Sequence, residues 1–287
     1  MAVQSHYFSV GSIVSWAEPG VGAVATQSIV EPAYGPRGLG QLRRGASAPD
    51  ALRRLLGDDE QADVRQVAIV DKHGRVAVHT GKRCIREASH RVADGVSAQA
   101  NMMERPTVPA AMIEAYGSTS GSLAARLIAA LEAAEHEGGD IRGCQSAAIV
   151  VVAGQATGAP MKDRPVDLRV DDHRDPVREL RRLVGLAASY HRIEVADELA
   201  AAGDLDGAAQ EYAAAHAEQP GNAELAFWHG VTLAAGGREQ EARELLEQAY
   251  REGEGWRELL RRLPASGLFP DDRDLLLRLT GPRIDER

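Results

Sequence analysis

Four hydroxyl and amide side chains fall at the ends of short apolar runs near the start of the chain: Ser5, Thr26, Gln27 and Ser28. Strand ends are where a rigid sheet presents its chemistry, so these side chains are the first candidates for a site. Asn101 lies in an apolar run, where its amide needs partners if buried, and Asp140 follows Gly138-Gly139 in a setting that suits a turn. Asp171, Asp172 and His173 form the densest ionisable cluster. Successive residues on a strand face opposite ways, so only Asp171 and His173 could act together. One imidazole and one carboxylate fall short of the three protein ligands usual in a catalytic zinc site. No metal and no cofactor is therefore expected, and an ion pair to Arg169 or Arg174 is the plainer role for the cluster. Arg37, in the turn Tyr34-Gly35-Pro36-Arg37, carries the planar fork that suits a carboxylate. Arg37, Tyr34, Asp172 and His173 are accordingly the candidates for substrate contact. Cys84, with Lys82, Arg83 and Arg86 close in sequence, reads as a half-buried strand cysteine rather than a reactive thiol.

The elements that must position these groups follow from pattern. The runs AVQS, SIVSWA and VGAVAT, bounded by Gly and Pro within Met1 to Gly40, carry strand signals. Ser47 caps a helix with Pro49 in its first turn and Ala51, Leu52, Leu55 and Leu56 at helical spacing. Val64 to Asp71 and Arg75 to Gly81, joined through Lys72-His73-Gly74, form a hairpin, and a second strand pair is expected at Arg83 to Glu87 and Gly95 to Met102. Thr107 to Tyr116 and Leu123 to Glu137 have helical periodicity, and Gly138-Gly139 stops the second helix. Cys144 to Ala153 is nearly all apolar and of strand length, as a strand covered on both faces would be, and Val166 to His173 alternates like one more strand. Short connections make neighbouring strands antiparallel, which fits a layered sandwich better than a doubly wound parallel sheet.

From Asp175 the composition shifts to Ala, Glu, Leu and Arg, and helix is expected to about Tyr250. A 34-residue offset aligns Gly203 with Gly237, Ala208 with Ala242, Tyr212 with Leu246 and Ala215 with Ala249. These are the small and bulky positions of tetratricopeptide-type helix pairs, which need neighbours or a partner to bury their faces.

Net charge of −9 and the lack of a basic run argue against nucleic acid, and no stretch reaches the length of a membrane span. Two cysteines suit a reducing compartment, and the first residues lack a signal-peptide pattern, so a cytoplasmic location is expected.

Six blocks, AVQSHYFSVGS, GVGAVATQ, YGPRGL, GVSAQANMM, RGCQSAA and DLRVDDH, resemble the domain of unknown function 1028 family, over Met1 to about Arg182. The resemblance implies a four-layer αββα sandwich of the N-terminal nucleophile hydrolase type, here followed by an all-α tetratricopeptide-like region. The expected domains are residues 1–174 and 175–287. Enzymes of that type use a Ser, Thr or Cys at the chain's first residue, its own α-amino group serving as base. Met1-Ala2 offers neither, and relatives carry a further strand before the part that matches Ala2 to Ser5. The proteasome pattern places Thr26-Gln27-Ser28 at the oxyanion loop, Asp140 near the nucleophile's amine and Asn101 at the end of the neighbouring strand. Its lysine falls near Gly11 or Ser12 and has no counterpart here.

The expected function is hydrolysis of an amide or ureido C–N bond in a small polar metabolite, with a restored first strand supplying the nucleophile. The alternative is a non-catalytic protein that binds a ligand or partner through the same sandwich and its helical repeats. A homo-oligomer, and a protein partner at the C-terminal helices, are expected.

Overall fold

The computed structural model describes residues 1–282, which divide into two compact units, Met1–Val184 and Gly185 onward. The division falls within a 26-residue helix, and each unit is described separately.

The first unit begins with β1 (Ala2–Ser5), a helical turn α1 (Gly11–Val14), β2 (Ser15–Glu18) and β3 (Gly22–Ser28). The run SIVSWA is thus split between helix and strand, because α1 buries Val10 and Val14, four residues apart, on one side. Two helices follow, α2 (Tyr34–Arg43) and α3 (Ala48–Gly57). Ser47 caps α3 by accepting from the Asp50 N–H at 3.2 Å. The hairpin β4 (Arg65–Asp71) and β5 (Val76–Thr80) forms as its sequence indicates. The next pair is β6 (Ser89–Ala93) with β7 (Val96–Ala100), so the strand expected at Arg83–Glu87 is displaced. That segment is instead a turn held by Arg83 N–H to Asp63 O at 2.8 Å and Cys84 N–H to Gly81 O at 3.0 Å. Then come α4 (Val108–Ser118), α5 (Leu123–His136), β8 (Ser146–Val151), a short turn α6 (Pro160–Asp163) and β9 (Val166–Val170). The helix α7 (Pro176–Ala201) follows, its residues up to Val184 closing this unit and the rest belonging to the second.

The strands make a sheet of order β1-β8-β9, a second of order β2-β3-β4-β5, and the separate β6-β7 hairpin, with every pairing antiparallel. Three apolar clusters define the layers. Val24, Val67 and Ile69 of one sheet pack with Tyr34, Leu39, Ala51, Leu52 and Leu55 of α2 and α3. Val10, Val14, Ala25 and Ala68, joined by Val3 and Val78, fill the space between the sheets. Ala147, Ile149 and Val170 of the other sheet pack with Ala124, Ile128 and Leu131 of α5 and with Val177 and Leu180 of α7. Helix, sheet, sheet, helix is the four-layer order expected. Ala147, Ala148, Ile149 and Val150 of β8 are all buried, as its unbroken apolar run requires of a central strand.

The second unit is helical: α8 (Leu205–Glu218), α9 (Ala223–Ala235), α10 (Glu239–Glu252), α11 (Gly255–Arg262) and α12 (Arg273–Thr280). Helix continues past the expected limit at Tyr250 because Leu260, Leu263 and Leu279 complete the core around Phe227 and Leu246. The 34-residue pairs occupy equivalent places. Ala208, Ala242, Tyr212, Leu246, Ala215 and Ala249 are all buried, and Gly203 (φ 86°) and Gly237 (φ 80°) both take the left-handed conformation that ends a helix.

Candidate functional site

A cleft of about 580 Å³ opens in the first unit, and the way each element borders it reveals its shape. Ala23, Ala25 and Gln27 of β3 line it at alternate positions, so that sheet presents a face. Leu123, Leu127, Ala130, Leu131 and Ala134 of α5 line it at helical spacing, again a face. In β1, by contrast, Ala2, Val3, Gln4 and Ser5 all border it, and so do Val96 to Ala100 of β7. β1 is the last strand of its sheet and β7 pairs only with β6, so along these two strands the cavity runs past open edges.

The edge of β1 is open. Met1 exchanges both main-chain bonds with Val150, at 2.7 and 2.9 Å, and Ser5 O accepts from Gln145 N–H at 3.1 Å. Antiparallel ladders alternate, so the main-chain groups of Ala2 and Gln4 point away from β8 into the cleft. Among the described residues no strand lies on that side of β1.

The polar groups gather at one end of this slot, around the end of β1. Gln66, fully buried on β4, accepts through Oε1 from Gln27 Nε2 at 2.8 Å and from Asn101 Nδ2 at 3.2 Å. Its own amide donates to Ala100 O at 3.0 Å, Ser89 O at 3.2 Å and Thr80 Oγ1 at 2.9 Å. Asp140 is buried and takes both oxygens to Arg142, at 2.9 Å to Nε and 2.6 Å to Nη2. Burial alone would push the Asp140 carboxyl up. Donors from the Arg142 guanidinium and from the main chain of Arg142 and His6 outweigh it and hold the group ionised, below its ordinary value. Of the residues that border the cleft, Gln4 and Ser28 each keep a buried polar atom without a partner, Gln4 Nε2 and Ser28 Oγ. Ser28 also sits at φ 70°, a left-handed conformation that costs a non-glycine residue on the order of 1 kcal/mol.

Of the residues singled out in the sequence, Ser5, Gln27, Ser28, Asn101 and Asp140 border the cleft. Thr26 does not. Strand alternation turns it to the opposite face, where it is fully buried and bonded to the main chain of Glu31. Tyr34 is buried in the outer helical layer and donates to Asp59 Oδ2 at 2.7 Å. Arg37 pairs with Asp58 at 2.8 Å on an exposed surface. Asp172 accepts from Gln145 Nε2 at 3.1 Å, and His173 Nδ1 accepts from the Asp175 N–H at 3.0 Å. None of these four borders the cleft. Asp171 lies 4.0 Å from Arg169, the plainer contact foreseen for that cluster. Among the described residues no group of three or more His, Cys, Asp and Glu is placed to hold a metal ion. Sequence reasoning missed Gln4, Gln66 and Arg142. Gln66 was detectable as a lone amide in the apolar run RQVAIV, by the argument applied to Asn101.

Comparison with known proteins agrees with this architecture. The family described as "Family of unknown function (DUF1028)" matches residues 1–180, and the tetratricopeptide repeat family matches residues 199–263. A crystal structure of a protein of the same DUF1028 family, from Silicibacter pomeroyi, is 29% identical. It superposes with a TM-score of 0.57, covering 64% of this chain and 80% of that one. None of the curated proteins matches. No helix among the described residues is long and apolar enough to cross a membrane.

Proposed function

The chain belongs to the DUF1028 family, whose function is unknown, and from its cleft we propose a hydrolase of amide or ureido C–N bonds that needs one more strand beside β1. The carrying observation is the open β1 edge, with an amide-rich polar cluster gathered where β1 ends. A segment joined to Met1 through a hairpin turn would run antiparallel along that edge. Its last residue would lie beside Met1, and its first would land at the Ser5 end, among Gln27, Ser28, Asn101 and Asp140. A Ser, Thr or Cys in that first place has its own α-amino group as base, a combination that activates nucleophiles by proximity. The unpartnered Gln4 Nε2 and Ser28 Oγ are donors free to hold the developing oxyanion, a role typically worth a few kcal/mol each. The Asp140–Arg142 pair would orient the amine.

The residues present also support a second reading. Ser28 Oγ has no partner, and Thr26 Oγ1 bonds only to main chain, so neither hydroxyl has a base beside it. On this reading the cleft binds a ligand without reacting with it.

The DNA upstream of the Met1 codon separates the two. The hydrolase predicts an in-frame segment encoding Met followed by Ser, Thr or Cys and an apolar run. The chain carrying that segment would then cleave amide or ureido compounds and lose the activity when its first residue becomes Ala. A stop codon directly upstream would refute the hydrolase and leave the binding protein. The tetratricopeptide-like helices are assigned to a protein partner or to assembly of copies, and a monomer by light scattering at micromolar concentration would remove the second of these.

A further inference from the structure

From the lining of this cleft we infer its ligand class: a neutral amide carrying an aryl or branched alkyl group, rather than a charged metabolite. The inference rests on the cleft being the amide-cleaving site and adds the ligand's charge and polarity.

The charge argument is one of elimination. Among the residues that border the cleft, Asp140 and Arg142 are the only ionisable side chains apart from tyrosines. They pair with each other at 2.6 and 2.9 Å, so their charges cancel. The α-amino group of Met1, also a lining residue, is pushed down to about 6 by burial and donates to Val150 O, so it is largely neutral at pH 7. An anionic or cationic ligand would therefore meet no free counter-charge there, and an ion taken from water into an apolar site without one binds poorly. The other polar side chains apart from the tyrosines are neutral as well: the hydroxyls of Ser5, Ser28 and Ser97, and the amides of Gln4, Gln27, Gln99 and Asn101, which hydrogen-bond a neutral amide through both its N–H and its carbonyl.

The polarity argument comes from what surrounds the polar end. Tyr7 and Ile29 border the cleft and remain 55% and 47% exposed. Ile85 and Ile141 flank Met102, itself a lining residue. Met102 N–H donates to Ile85 O at 3.2 Å, and Ile141 N–H donates to Met102 O at 3.0 Å. Both isoleucines are largely exposed. Large apolar side chains left in water around a polar cluster are the mark of a ligand-binding mouth, since a folded chain otherwise buries them or scatters them singly. A ligand satisfying both features puts its amide on the inner polar groups and its apolar substituent against Tyr7, Ile29, Ile85 and Ile141.

Three compounds test this with the full chain by calorimetric titration: N-benzoylglycinamide, its anion analogue N-benzoylglycine, and N-acetylglycinamide. The expected result is that N-benzoylglycinamide binds at least tenfold more tightly than either of the others. Ile141→Ser and Tyr7→Ser should reduce its advantage over N-acetylglycinamide severalfold, with N-acetylglycinamide itself unchanged. Equal or tighter binding of the anion, no gain from the benzoyl group, or no binding of any of the three overturns the inference. If the neutral aryl amide is preferred but is not cleaved by the chain bearing the upstream strand, the hydrolase reading fails while the ligand class stands. Cleavage that favours the anion sinks the ligand class alone.

Discussion

Replacing Gln66 with Leu isolates the buried amide that ties the polar end of the cleft together. Gln66 Nε2 has two hydrogens for three acceptors, so with its two accepted bonds the side chain holds about four hydrogen bonds at once. Leucine, of similar volume, abolishes them all. The buried Ala100 carbonyl is then left unpaired at a cost of about 1–3 kcal/mol, and the Asn101 amide, partly buried at the cleft and within reach of water, loses its acceptor at about 1 kcal/mol. Burying the added apolar surface offsets about 1 kcal/mol, so a net loss of about 1–3 kcal/mol is expected. Trp16 is the first unit's own tryptophan, and its fluorescence in a Trp228→Phe, Trp256→Phe background reports that unit's urea unfolding. With a slope of about 2–3 kcal/mol per molar urea, the midpoint should fall by about 1 M. Gln66→Glu keeps the two accepted bonds but loses the donors, and its carboxylate would face the carbonyls of Ser89 and Ala100. It should be more damaging at pH 7 than at pH 4, where the protonated acid can donate. A Gln66→Leu midpoint within about 0.2 M of the parent would refute the claim that this amide organises the site.

Other outcomes follow from particular contacts. The Arg65 guanidinium is the main reason Asp59 is held down at about 2, so the pair's stabilisation is full above about pH 4 and disappears as pH falls toward 2. Asp59→Asn should flatten the acid limb of the first unit's stability curve over that window. His229 is pushed down to about 4, chiefly by burial, with help from His216 and Arg238. Its neutral form is favoured in the fold, so the second unit should lose stability as pH drops from about 6.5 toward 4, and His229→Leu should remove that slope in Trp256 fluorescence melts. A Cβ at Gly35 would stand 2.2 Å from the Trp16 ring, so Gly35→Ala should cost about 1–3 kcal/mol and shift Trp16 emission to the red; unchanged emission would show that the ring moves aside freely.

Much of this fold can be read from the chain alone because it rests on local pattern. Alternation, the Ser47 cap, the apolar run of β8 and the 34-residue repeat each report a face or a terminus within a few residues. The displaced strand at Arg83–Glu87 shows where such reading ends: main-chain bonds to Asp63, Met102 and Met103 hold that segment in place, and nothing within it records them. The cleft divides in the same way. Ser5, Gln27, Ser28, Asn101 and Asp140 stand out by residue type and resemblance, whereas Thr26 falls away because strand alternation turns it from its neighbours. Tyr34, Arg37, Asp172 and His173 have side chains suited to binding, yet each is held by a contact elsewhere on the fold. Only the tertiary structure could bring Gln66 under Asn101 and set Arg142 against Asp140 beside the end of β1. Only it could leave β1 unpaired on one side, because an edge is a relation between strands far apart in sequence.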